Sequence, residues 1–123
     1  MTGTIILRAA RDSRIANRLR YSVDAVLDEK RKELHGRPVW TDGFHAGTIY
    51  QVVKTSKWRM ESDTRMSRDE RARSFDTPQE AAIALLTFRK RHIDYWYESY
   101  AARKRAIDAA LGTGIVAMPE GED

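Results

Sequence analysis

Residues 12–35 read DSRIANRLRYSVDAVLDEKRKELH, and this stretch decides the architecture expected of the chain. Ile15, Leu19, Val23, Val26, Leu27 and Leu34 recur at spacings of three, four and seven, which places them on one helical stripe. Asp12 or Ser13 supplies a cap. Gly36, with Pro38 beyond it, supplies a stop. The spacing predicts one long helix from Asp12 to His35.

A second helix is marked at its start. Thr77-Pro78-Gln79-Glu80 is a capping box with proline at the first helical position: the threonine hydroxyl accepts from the Glu80 amide and the glutamate reaches back. No proline or glycine follows until Gly112. A continuous helix over that span has roughly 34 residues and is about 50 Å long. Leu86, Ile93, Tyr100 and Ile107 fall at every seventh position, with Trp96 and Leu111 beside the seam. Such a helix outruns a domain of 123 residues. Its far half then needs the first helix laid antiparallel, or a second subunit in a homodimer.

Between the helices the chain changes character. Thr48–Lys54 (TIYQVVK) is rich in β-branched and aromatic residues, and Lys57–Glu61 alternates, with Trp58 and Met60 on one side. Thr55-Ser56 makes the turn between them. Pro38–Gly47 reads as a loop whose Trp40 and Phe44 pack on the domain. Ser62–Glu70 is charged and irregular, and Arg71–Phe75 reads as a short third strand. Thr4–Leu7 is a strand or the lead-in to a helix. The expected fold is α+β: two long helices packed antiparallel, with a small antiparallel sheet of two or three strands between them in sequence. Residues 1–112 form the single domain and 113–123 a flexible acidic tail.

Composition narrows the classes of function. Hydrophobic residues are 41% and charged residues 33%, as in a highly charged globular domain. There are no cysteines, which excludes disulfides, thiol catalysis and cysteine zinc sites. No apolar stretch is long enough for a membrane span, and the first residues lack the pattern of a secretory signal, so a cytoplasmic location is expected. The net charge is +4 and the pI about 9.6, which favours acidic partners.

No catalytic motif is found: neither a phosphate loop, nor a dinucleotide fingerprint, nor a nucleophile elbow. His45 and Asp42 share a loop and can form a metal or general-base element, but spacing implies no third ligand and the pair reads as a polar loop. Glu61, Asp63, Asp69 and Glu70 are interleaved with Arg59, Arg65, Arg68 and Arg71, which reads as a salt-bridged loop rather than a magnesium site. The expectation is a non-enzyme with no metal and no cofactor.

Three basic features remain. Arg8, Arg11, Arg14 and Arg18 repeat at three, three and four, which makes one stripe if the first helix begins early enough to include them. Lys54, Lys57, Arg59, Arg71 and Arg73 share the sheet region. Arg89-Lys90-Arg91 and Arg103-Lys104-Arg105 lie about 20 Å apart along the last helix. Each group can neutralise phosphates, and each is equally an ordinary solvated face. Tyr95, Trp96, Tyr97 and Tyr100 cover more than one helical face. They divide between core packing and an exposed surface suited to a partner protein or to stacked bases.

The order strand (TIYQVVK), strand (KWRME), basic loop, short strand (RARSF) and helix (DTPQEAA), from Gly47 to about Phe88, resembles the arm-type DNA-binding domains of phage integrases and the related AP2 family. That resemblance covers about a third of the chain. It implies a three-stranded sheet in the major groove with a helix behind it, and it points Lys57, Arg59, Arg71 and Arg73 at DNA. The long leading helix, the overlong last helix and the lack of a recombinase catalytic segment depart from the pattern. In its arginine-rich, alanine-rich composition the chain resembles small accessory proteins of actinobacterial phages or mobile elements. The expected function is nucleic-acid binding through phosphates, by Lys54, Lys57, Arg59, Arg71, Arg73, Arg89 and Arg91. The alternative is a module, such as a phage factor that captures a host protein, using Trp96, Tyr97 and Tyr100.

Overall fold

The computed structural model describes residues 2–9, 19–40, 43–62, 64–92 and 100–118. In order, the chain forms β1 (Gly3–Ala9), β2 (Arg20–Leu27), a 3-10 turn (Asp28–Lys30), β3 (Arg31–Leu34), β4 (Arg37–Trp40), β5 (Phe44–Gln51), β6 (Trp58–Glu61), α1 (Arg68–Ala72), α2 (Pro78–Arg91), α3 (Tyr100–Thr113) and β7 (Val116–Ala117). A five-stranded sheet has the order β6-β5-β2-β1-β7, and β3 and β4 form a separate two-stranded ribbon. Neighbours in the large sheet are antiparallel, except that β7 runs parallel to β1.

This architecture overturns the expected one of two long antiparallel helices around a small sheet. The first of those helices does not form among the described residues, and its opening, residues 12–18, lies outside them. Tyr21, Val23, Ala25 and Leu27 alternate with Ser22, Asp24 and Val26, so the same letters also carry a strand period. Flanking strands decide between the two readings. β2 is the central strand, hydrogen-bonded to β1 on one side and to β5 on the other. The expected helix stop is a hairpin turn: His35 and Gly36 have φ of 53° and 76°, the paired positive values of a type I′ turn joining β3 to β4.

One face of the large sheet carries the core. Ile5, Leu7, Val23, Ile49 and Met60 are fully buried there against Leu85 and Leu86 of α2 and Ile107 of α3. Each such side chain contributes roughly 1.5–3 kcal/mol by leaving water. Trp58 and Met60 both face this core, as their alternation predicts, and Trp58 stacks on Tyr21 at 5.4 Å. A β-bulge in β5 sets which of its residues join them. Ala46 and Gly47 together oppose Val23, so the inward set passes from Phe44 and Ala46 to Ile49.

The expected third strand, Arg71–Phe75, does not form: Arg71 and Ala72 close a short helix and Arg73 returns to extended geometry. Ser67 accepts from the Glu70 amide at 3.2 Å and caps the short helix α1. Only Phe75 pairs with β6, exchanging two backbone hydrogen bonds of 2.8 Å with Trp58. Thr77 does cap α2, accepting from the Glu80 amide at 3.2 Å. The continuous helix to Gly112 is not formed. α2 stops at Arg91, and His92 leaves helical geometry (φ −128°, ψ 48°) with its ring 4.5 Å from Phe88. Residues 93–99, among them Ile93, Trp96 and Tyr97, lie outside the described residues. α3 rests Ala106, Ile107 and Ala110 in the core against this chain's own sheet, so the overhang that asked for a second subunit is not observed. Val116 and Ala117, within the expected tail, pair with Ile5 and Ile6. Among the described residues no helix is long and apolar enough to cross a membrane.

The turn after β2 is tied to the start of β1. Thr2 Oγ1 and Thr4 Oγ1 donate to the Asp28 carboxylate at 2.6 and 2.8 Å. These two hydroxyls, Thr2 first, hold the Asp28 carboxyl below its ordinary value of 3.8, with Arg31 adding to the effect and partial burial opposing it. Because the folded value is the lower one, the contribution is complete above 3.8 and is lost as pH falls through the depressed value. Asp28→Asn should therefore be less stable than wild type at neutral pH, with the difference closing in acid. Denaturant titrations over a pH series check this, and a constant offset at every pH would refute it.

Candidate anion-binding groove

Strand alternation that buries Val23, Ile49 and Met60 sends their neighbours to the other face of the sheet. Cross-strand register sets two rows there: Arg59–Tyr50–Arg20, and Glu61–Thr48–Ser22–Arg8. At the β6 edge this face becomes an open groove of about 430 Å³, lined by Arg20, Thr48, Glu61, Ser62, Arg65, Met66 and Arg71. Three guanidinium groups and one carboxylate leave it a surplus of two positive charges.

Each wall is positioned by ordinary folding forces. Arg20 opens β2, and its Nη2 donates to Glu61 Oε2 at 2.9 Å, joining two strands that do not touch directly. Met66 is buried at 6% exposure and pins the segment that presents Arg65. The Ser67 cap fixes α1, which presents Arg71. Ser62 Oγ is committed, donating to the Ala46 carbonyl and accepting from Arg89 and the Thr64 amide. Arg65 and Arg71 form no ion pair with any described residue, whereas most other charges near them are matched. Arginine presents several donors in a planar fork, so unmatched arginines facing a concavity suit a phosphate group.

Of the residues proposed to bind nucleic acid, the structure brings only Arg71 to this groove; it meets there Glu61 and Arg65, read from the sequence as parts of a salt-bridged loop, and Arg20, which was not singled out. Arg59 lies on the same face, two residues before Glu61. Lys54 is exposed in the β5–β6 turn. Lys57 is paired with Asp76, and Arg73 with Glu70 at 3.2 Å, its guanidinium also 5.1 Å from the Phe75 ring. Arg89 is inside the fold, 7% exposed, donating to Ser62 at 3.1 Å and to Thr64 and lying 5.1 Å from the Phe44 ring. Arg91, two residues on, is exposed. Arg11, Arg14, Arg18, Trp96 and Tyr97 fall outside the described residues, and of Tyr100 only the backbone, at the start of α3, is described.

Two other clusters are charge-balanced. His45 Nδ1 stands 2.9 Å from Asp24 Oδ1, and Arg8 Nη1 stands 3.2 Å from Asp24 Oδ2. Sequence proximity joins His45 to Asp42, but the sheet joins it to Asp24, and no group of three metal-ligating side chains exists among the described residues. A second groove, of about 450 Å³, sets Arg73 and Arg91 against Glu70 and Glu80 around Phe75, Ile83 and Phe88, with no surplus charge. The Arg20 groove thus differs from both in its net charge.

Comparison with protein-family models, with curated proteins and with solved structures finds no match to this chain.

Proposed function

We propose that the protein is a cytoplasmic, non-enzymatic nucleic-acid-binding protein that takes hold of phosphate through the groove of Arg20, Arg65 and Arg71. The charge surplus in that groove is the observation that supports this reading. The overall charge of +4 works in the same direction, raising the rate of encounter with a polyanion. Neutralising about two phosphates displaces their counterions, which gives a slope near −1.8 for log K against log salt on duplex DNA and somewhat less on a single strand. Affinity then falls roughly tenfold between 50 and 200 mM salt.

Fluorescence anisotropy with labelled duplex and single-stranded oligonucleotides at several salt concentrations tests the reading. The double substitution Arg65→Ala with Arg71→Ala should flatten the salt slope and weaken low-salt binding by about tenfold or more. Both side chains are exposed, so the fold should survive the change. An identical titration for the double variant would take the groove out of the account.

A further inference from the structure

The size and isolation of the charge surplus bear on which phosphate is taken. An internal phosphodiester carries one negative charge, whereas a terminal phosphate monoester carries about −1.5 to −2 at neutral pH. The groove offers a surplus of two within a single concavity of about 430 Å³. Toward β1, the described part of the open sheet face offers no continuing cationic track, because Asp24 already holds Arg8 and faces His45; on the other side only Arg59 extends the row of Arg20 among the described residues. A strand laid along the sheet by its diesters would meet carboxylate at Asp24 and Glu61.

Inside the groove, Arg20 is engaged by the Glu61 carboxylate at 2.9 Å, while the Arg65 and Arg71 guanidiniums have no carboxylate among the described residues. The Thr48 hydroxyl, on the groove wall, makes no hydrogen bond with any described residue. Glu61 is half exposed, with 51% of its side chain open to solvent, so it can yield Arg20 to a stronger anion. We infer that the groove receives the terminal phosphate monoester of a nucleic-acid strand, held by Arg65, Arg71 and Thr48, with Glu61 as the built-in competitor for Arg20. This rests on the nucleic-acid reading above and narrows it from phosphate in general to a strand end.

The full-length protein is titrated with one labelled single-stranded oligonucleotide in three forms: 5′-phosphorylated, 3′-phosphorylated, and hydroxyl at both ends. One phosphorylated form should bind about tenfold tighter than the hydroxyl form, as expected for an added charge-assisted contact. Arg65→Ala or Arg71→Ala should erase that preference, and Glu61→Gln should enlarge it. Equal affinity for all three forms would overturn the strand-end assignment while leaving nucleic-acid binding standing. No binding of any form at low salt would overturn both. A preference that survives loss of Arg65 and Arg71 would place the end elsewhere and overturn the assignment. Displacement of the strand by an equal concentration of adenosine monophosphate would do the same, by transferring the site to a free nucleotide.

Discussion

Gly47→Ala should destabilise the protein by roughly 3 kcal/mol or more, a large share of the 5–15 kcal/mol typical of a domain. Gly47 sits in the β5 bulge with φ of 147°, a conformation that residues with a Cβ rarely adopt. A Cβ built there would lie 2.2 Å from the Glu61 carbonyl oxygen and 3.0 Å from Ser62 Cα. Both are backbone atoms, so relief requires moving β6 away from β5 rather than turning a side chain. That movement would loosen Trp58 and Met60 from the core and shift Glu61 and Ser62 in the groove wall. Gly112→Ala is the matched control. Gly112 lies in α3 with nothing within 4 Å of the place a methyl group would take, and alanine there should be neutral or stabilising by up to about 1 kcal/mol. Chemical denaturation of both variants gives the comparison. Equal midpoints would mean that β5 and β6 do not approach as closely as described.

The bulge also shows why only part of this fold is legible in the sequence. Phe44, Ala46, Thr48 and Tyr50 form one alternating set, and simple strand periodicity assigns them a common face. The extra residue of the bulge, Ala46, has no partner in β2; it breaks the set and buries Ile49 instead. Nothing in the local letters fixes which register wins, because that is settled by pairing with β2. In β2 the ambiguity is deeper. Val26 is buried at 1% on the second face, so the hydrophobic pattern is nearly continuous and fits a helical stripe as well as a buried strand. Gly36 fits a helix stop and a type I′ turn equally, and only the positive φ of His35 separates them. Local chemistry was decisive where it was unambiguous: the Thr77 hydroxyl capped α2, and Trp58 and Met60 faced inward. The groove is a tertiary product. Arg20, Glu61, Arg65 and Arg71 come from a strand start, a strand end, a connecting segment and a short helix. Of these, only Arg71 stood out in the sequence as part of a basic group.

Arg89→Ala should cost about 3 kcal/mol, while Arg91→Ala should stay within roughly 0.5 kcal/mol. As letters the two arginines belong to one basic run, Arg89-Lys90-Arg91, and appear equivalent as phosphate contacts. Packing separates them. The last turn of α2 carries Arg89 toward the sheet, where it is 7% exposed, and leaves Arg91 in solvent. A guanidinium is tolerated at that depth because its Nη1 donates to both Ser62 and Thr64 and its face lies over Phe44, with Arg103 5.7 Å from the same ring. Truncation removes a charge-assisted hydrogen bond, deletes the packing over Phe44 and leaves a cavity between α2 and β5. Arg89→Met should recover part of the loss by refilling the volume without the hydrogen bonds. Denaturation midpoints for the three variants test this ranking. A larger loss for Arg91→Ala than for Arg89→Ala would refute it. Because Ser62 lines the anion groove and accepts from Arg89, the same buried arginine links helix packing to the wall of the site. Arg89→Met should therefore weaken phosphate binding less than loss of Arg65 and Arg71, which face the groove directly.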